Sequence, residues 1–157
     1  MLSRMGSSNN GSPSEAARNE ARPALTEADG ATSLRVFLVE DSPSVRDRLN
    51  DFLAEPGKVE MIGFAVTEAD AVRQLRTQSV DVAIVDLNLK EGTGIGVIES
   101  VRAIHAQPPP TIIVLTNYAF PEFEAACRER GADYFFDKST EVGAVKSLLQ
   151  SIRASKH

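Results

Sequence analysis

Five short apolar runs, each followed by a stretch of helical periodicity, set the tightest limit on what this chain can fold into. The runs are Leu34–Val39, Val59–Ala65, Val82–Val85, Ile112-Ile113-Val114-Leu115 and the shorter Tyr134-Phe135-Phe136. Unbroken runs rich in β-branched residues, like the third and fourth, suit strands covered on both faces. Ser42-Pro43 pairs an N-cap residue with proline at the first helical position. Val45, Leu49, Phe52 and Leu53 then fall on one apolar stripe, ended by Pro56-Gly57. Thr67-Glu68 opens a second helix, with Ala69, Val72 and Leu75 inward. Val97, Ile98, Val101 and Ile104 mark a third, which stops before Pro108-Pro109-Pro110. Pro121 starts a fourth, with Phe123 and Cys127 on one side and Gly131 as its stop. Val142, Val145, Leu148, Leu149 and Ile152 mark a fifth. This alternation implies an α/β fold, a doubly wound parallel sheet with helices on both faces. Ligands of such sheets sit at the carboxyl ends of the strands, near the point where strand order reverses.

The rest of the composition narrows the class. Residues 1–32 contain no Val, Ile, Phe, Tyr or Trp and are rich in Ser, Asn, Gly, Ala and Glu. Such a segment buries too little apolar surface to offset its ordering entropy. It is expected to be a flexible tail, with one domain over 33–157. No apolar core of a signal peptide follows Arg4, and Glu15, Glu20, Glu27 and Asp29 disfavour a transit peptide. The single cysteine, Cys127, makes no internal disulfide and no zinc site alone, and reads as a reduced thiol packed in a cytoplasmic protein. A net charge of -5 argues against non-specific binding to nucleic acid or to an anionic membrane. No apolar run approaches the roughly 20 residues of a membrane helix.

The strand ends carry the chemistry. The first run ends in Glu40-Asp41, the third in Asp86 and the fourth in Thr116; Lys138 lies just past the fifth. Three acids brought together repel one another unless a cation intervenes. Their hard oxygens suit Mg²⁺. A lysine binds phosphate oxygens, and a threonine hydroxyl donates to another. Aspartate is itself a nucleophile that forms an acyl phosphate. Phosphoryl transfer asks mainly for positioning and charge stabilisation.

Glu40 and Asp41 in VFLVEDSPSVR, Asp86 in VAIVDLNLKEGTG, Thr116 in IIVLTNYA and Lys138 in GADYFFDKS occur in order, each at an expected strand end. Together they resemble the receiver domain of two-component response regulators, the CheY-like family, over roughly residues 33–154. The resemblance implies a flavodoxin-like (βα)5 sheet in strand order 2-1-3-4-5. It implies that Asp86 accepts a phosphoryl group from a phosphohistidine on a sensor histidine kinase or a phosphotransfer protein. Asp41, Asp86 and the backbone carbonyl of Asn88 would ligate Mg²⁺, with Glu40 acting through water. Lys138 would pair with the phosphoryl group and Thr116 would move to hydrogen-bond it. Phe135 would rotate inward behind Thr116 and alter the face of the fourth helix, fifth strand and fifth helix, where partners bind. Asn88 and Tyr118 would flank the path of hydrolytic water, with bulky Tyr118 slowing it.

Departures from the family pattern carry expectations of their own. Ser139 stands where proline often follows the lysine, so a cis bond is not expected there and the turn should differ. Lys90 stands where proline often restrains the loop after the acceptor, so that loop is expected to be less restrained. Phe135 replaces a frequent tyrosine and lacks its hydroxyl. Gly92-Thr93-Gly94-Ile95-Gly96 is not a dinucleotide fingerprint and reads as a turn and helix start. His105 reads as a helix end, and Lys146 and Arg153 as a solvated face. Read alone, Glu40-Asp41 also fits a helix cap, Thr116 an ordinary strand end and Lys138 a solvated lysine. The leading expectation is a single-domain response regulator that passes its signal by protein contact, since no output domain fits. A phosphohydrolase resembling the haloacid dehalogenase family needs a second acid where Asn88 stands. A phosphorylation-independent interaction domain, or a piece of a larger regulator, are the other readings.

Overall fold

Local capping signals and apolar runs resolve into five β-α units in the computed structural model, which describes residues 32–156. All of the expected tail except Thr32 lies outside the described residues, as does His157. In chain order the elements are β1 (Leu34–Val39), α1 (Pro43–Leu53), β2 (Val59–Ala65), α2 (Glu68–Thr77), β3 (Val82–Val85), α3 (Gly94–Ile104), β4 (Thr111–Thr116), α4 (Pro121–Glu129), β5 (Tyr134–Asp137) and α5 (Val142–Ser155). Residues Ser33–Ser155 form one compact unit.

Helix starts follow from their caps. The Ser42 hydroxyl accepts from the Val45 N–H, Thr67 from Asp70 and Thr93 from Gly96, each satisfying an amide that the helix leaves without a partner. Helix α4 has Pro121 at its first turn and no side-chain cap. Helix α3 stops at His105, whose φ of 55° is left-handed.

The strands are all parallel, in the order β2-β1-β3-β4-β5. Alternate side chains feed two cores, one on each face. Phe37, Val39, Ala83, Val85, Ile112 and Val114 pack with α2, α3 and α4 through Ala71, Val97, Ile98, Val101 and Cys127. Leu34, Val36, Leu38, Ile84, Ile113 and Leu115 pack with α1 and α5 through Leu49, Leu53, Val145 and Leu149. Every residue of β3 is buried, which is why its sequence is apolar throughout. Strand order reverses between β1 and β3, whose register pairs Val39 with Val85. Glu40 and Asp86, one residue further on each strand, therefore emerge side by side at the carboxyl rim.

Several sequence expectations need correction. Phe52 is not in the α1 core but 44% exposed, and Ala69, expected inward on α2, is exposed. Lys146 is not on a solvated face: its ammonium donates to the Phe52 carbonyl and lies 4.9 Å from the Phe52 ring centroid, tying α5 to α1. The loop after β3 is well restrained despite Lys90. The Lys90 N–H donates to the Val66 carbonyl at 3.2 Å, a bond proline cannot make, and Glu68 N–H donates to the Glu91 carbonyl at 2.9 Å. Among the described residues no helix is long and apolar enough to cross a membrane.

Candidate functional site

Backbone bonds that prolong the strands set the site. The Glu40 N–H donates to the Ala65 carbonyl at 3.0 Å, Asp86 N–H to Val39 at 3.0 Å and Lys138 N–H to Thr116 at 2.9 Å. These bonds hold three residues from distant parts of the chain at one rim. Glu40 and Asp86 are buried, 2% and 6% exposed. The Lys138 ammonium lies 2.7 Å from Glu40 Oε1 and 2.7 Å from Asp86 Oδ2. Glu40 Oε2 accepts from the Ser42 N–H at 3.1 Å, so both its oxygens are engaged. Asp86 Oδ1 is buried and has no hydrogen-bond partner.

An acceptor oxygen buried without a partner costs on the order of 1–3 kcal/mol, so its presence asks for a ligand. Glu40, Asp41 and Asp86 each place one carboxylate oxygen within 4.8 Å of the others. Three carboxylates less one ammonium leave a formal charge of -2 at the cluster. Burial pulls the pKa of Lys138 down, but hydrogen bonds and charge attraction from Asp86 and Glu40 outweigh it, so the ammonium is held more tightly than in water. The residual charge, the hard oxygen donors and the unpartnered Oδ1 together fit a divalent cation. Asp41 is only half-buried, leaving that side of the cluster accessible.

The remaining expected residues surround this cluster. Thr116 is fully buried, and its hydroxyl oxygen accepts from the Tyr118 N–H at 3.1 Å. Tyr118 is 45% exposed, and the Asn88 side-chain amide approaches its hydroxyl at 3.5 Å. Both line an open groove of about 490 Å³ with Leu87, Thr93, Ile95 and Phe123. Phe135 is half-buried against the core that holds Val114 and Cys127. The Lys138–Ser139 bond is trans, as expected of a non-proline residue.

Other residues shape the site without having been singled out in the sequence. Glu68 Oε1 accepts from the Thr93 N–H at 2.9 Å, pinning the loop that follows Asp86 to the start of α2. The Arg46 guanidinium donates to the Glu40 carbonyl at 3.0 Å and stacks on Phe64. Gly94 packs so closely that a Cβ there would lie 2.2 Å from the Asp86 carbonyl oxygen. Asp137, next to Lys138, had a legible signal: an aspartate accepting from the amide two residues on is a common turn device.

The sequence model of the response regulator receiver domain matches residues 36–150. The chain belongs to that family. It is a receiver domain of a two-component response regulator, with the parallel five-stranded fold of that family. The receiver domain is 32% identical over 108 residues to the "Uncharacterized transcriptional regulatory protein YhcZ" of Bacillus subtilis, covering 69% of this chain and 50% of that protein. It is also 32% identical over 112 residues to a protein-glutamate methylesterase/protein-glutamine glutaminase of Rhodopseudomonas palustris, covering 71% of this chain and 27% of that one. The chain thus spans half or less of the length of these two relatives. Among solved structures, a LuxR-family two-component response regulator from Aurantimonas sp. superposes with a TM-score of 0.70 at 24% identity, covering 79% of this receiver domain and 87% of that chain.

Proposed function

We propose that this receiver domain is a Mg²⁺-dependent phosphoacceptor in which Asp86 takes a phosphoryl group from a phosphohistidine of a sensor histidine kinase or phosphotransfer protein. The observation that carries the reading is Asp86 Oδ1, buried without a partner in a cluster of acids while Oδ2 is held by Lys138. Asp41, Asp86 and the Asn88 backbone carbonyl would hold Mg²⁺, with Glu40 through water, and the ion would supply the positive charge that offsets repulsion between these acids and a phosphoryl group. The Asp86 carboxylate attacks phosphorus through one of its oxygens; the P–N bond breaks, and the imidazole nitrogen keeps the electron pair and takes up a proton. Lys138 stays protonated, anchors Asp86 during the attack and then pairs with the phosphoryl oxygens. Thr116 gives up its contact with the Tyr118 amide to donate to the phosphoryl group, and Phe135 turns inward behind it. Asn88 and Tyr118 narrow the approach of water to the acyl phosphate.

In this reading the protein is not an enzyme with a substrate of its own. It works in the cytoplasm. Its signal passes by protein contact through the face of α4, β5 and α5, where Tyr134 stacks on Phe136 with centroids 6.4 Å apart. Nucleic acid and membrane are not its partners, which the net charge of -5 supports. Acetyl phosphate with Mg²⁺ is expected to add one phosphoryl group, seen by intact-mass analysis at neutral pH, and chelation by EDTA to prevent it. Asp86→Asn is expected to remain unlabelled. Labelling of that variant at the wild-type rate would refute the assignment.

A further inference from the structure

Lys138 reaches the site on a flexible four-carbon stem, so the backbone that bears it must be held for the ammonium to meet two oxygens at 2.7 Å. On the strand side this is done by the bond from Lys138 N–H to the Thr116 carbonyl. On the other side the chain turns at once into α5, with Ser139 after the lysine. Here the backbone N–H, the backbone carbonyl and one carboxylate oxygen of Asp137 close the turn. Its Oδ1 accepts from the Ser139 N–H at 2.9 Å and the Ser139 hydroxyl at 2.6 Å. Its N–H donates to Glu141 Oε1 at 2.8 Å, and its carbonyl accepts from the Glu141 N–H at 2.8 Å. This is an aspartate turn interlocked with a reciprocal cap, and Lys138 is the residue enclosed between its parts. Neither Asp137 nor Ser139 belongs to the acid cluster. Their bonds stay within the turn, so they reach the chemistry only through Lys138.

We propose that Asp137 and Ser139 are positioning residues that aim Lys138 at the phosphoacceptor. The proposal rests on the phosphoacceptor reading above and adds the residues that make its lysine effective. The Ser139 hydroxyl and amide hold the Asp137 carboxyl below its ordinary pKa, so the acceptor is ionised at neutral pH. Displacement of a reacting group by about 1 Å costs up to about a hundredfold in rate. Loss of one hydrogen bond corresponds to roughly two- to tenfold.

The test is the single-turnover rate of labelling by saturating acetyl phosphate and Mg²⁺, with Mg²⁺ affinity measured separately by calorimetric titration. Asp137→Ala is expected to lower the maximal rate about ten- to hundredfold, and Ser139→Ala about two- to tenfold. Mg²⁺ affinity should stay at the wild-type value in both. Asp137→Asn keeps the acceptor oxygen and should restore most of the rate. Ser139→Ala removes only an exposed hydroxyl, so it supplies a folded variant if Asp137→Ala does not. Wild-type rates in a folded Ser139→Ala and in Asp137→Asn and Asp137→Ala overturn the proposal and leave the phosphoacceptor reading standing. So does a loss of rate matched by an equal loss of Mg²⁺ affinity and not restored by asparagine, which marks general damage. A wild-type protein that takes no label overturns the phosphoacceptor reading first, and this proposal with it.

Discussion

At the scale of single residues, burial and partner charge decide which groups hold their protons. Lys138 is half-buried beside two carboxylates and keeps its charge; Cys127 is fully buried on α4 and keeps its proton. Burial pushes the Cys127 thiol above its ordinary 9.0, outweighing attraction from Arg130. The folded state therefore binds this proton more tightly than the unfolded chain does. The resulting stability is fully present below pH 9.0 and is lost as pH rises through the folded value. Urea denaturation of wild type and Cys127→Ala across the alkaline range measures this. Wild type should be more stable by about 1 kcal/mol at neutral pH, from the volume removed, with the gap narrowing above pH 9.0. A gap that stays constant with pH contradicts the account.

At the scale of elements, the loop after β3 shows how close packing transmits to the site. A Cβ on Gly94 would meet the Asp86 carbonyl oxygen at 2.2 Å and Leu87 Cα at 2.8 Å, both of them backbone atoms. Neither is the end of a side chain that can swing away. Gly94→Ala should therefore cost about 1–3 kcal/mol in chemical denaturation. Gly143→Ala, at a position on α5 with no atom within 4 Å of a new Cβ, should cost nothing and gain up to about 1 kcal/mol from helix propensity. Equal stability of the two variants would show that the loop has slack. Which parts of these elements were legible in the sequence follows from the range of the forces involved. The starts at Ser42, Thr67 and Thr93 are set by a hydroxyl and an amide a few residues apart, and sequence spacing reveals them. Phe52 and Lys146 were misread because a helical stripe indicates an inward direction and not the edges of the contact. Where α1 meets α5 depends on the packing of the whole face. The restraint at Lys90 was missed for the opposite reason: its partner, the Val66 carbonyl, lies on another loop.

At the scale of the whole molecule, the fold makes one rim from four strand ends. The alternation of apolar runs and amphipathic stretches made the parallel sheet legible, because that pattern leaves little else for buried strands. Strand order came from the family resemblance, since local periodicity does not choose a strand's neighbours. Glu40, Asp41, Asp86, Thr116 and Lys138 were legible as polar residues directly after runs that needed none. Glu68 was not, because its bond to the Thr93 amide shows only when two loops meet, whereas Asp137 acts on its own turn and carried a local signal. The central claim is that this rim makes Asp86 a nucleophile toward phosphorus. Borohydride reduction of protein labelled by acetyl phosphate, followed by peptide mass mapping, tests it most directly, since hydride converts an aspartyl phosphate to homoserine. The account predicts homoserine at position 86 and nowhere else, and none when Mg²⁺ is withheld. Reduction at another acid, or label that resists hydride altogether, contradicts it.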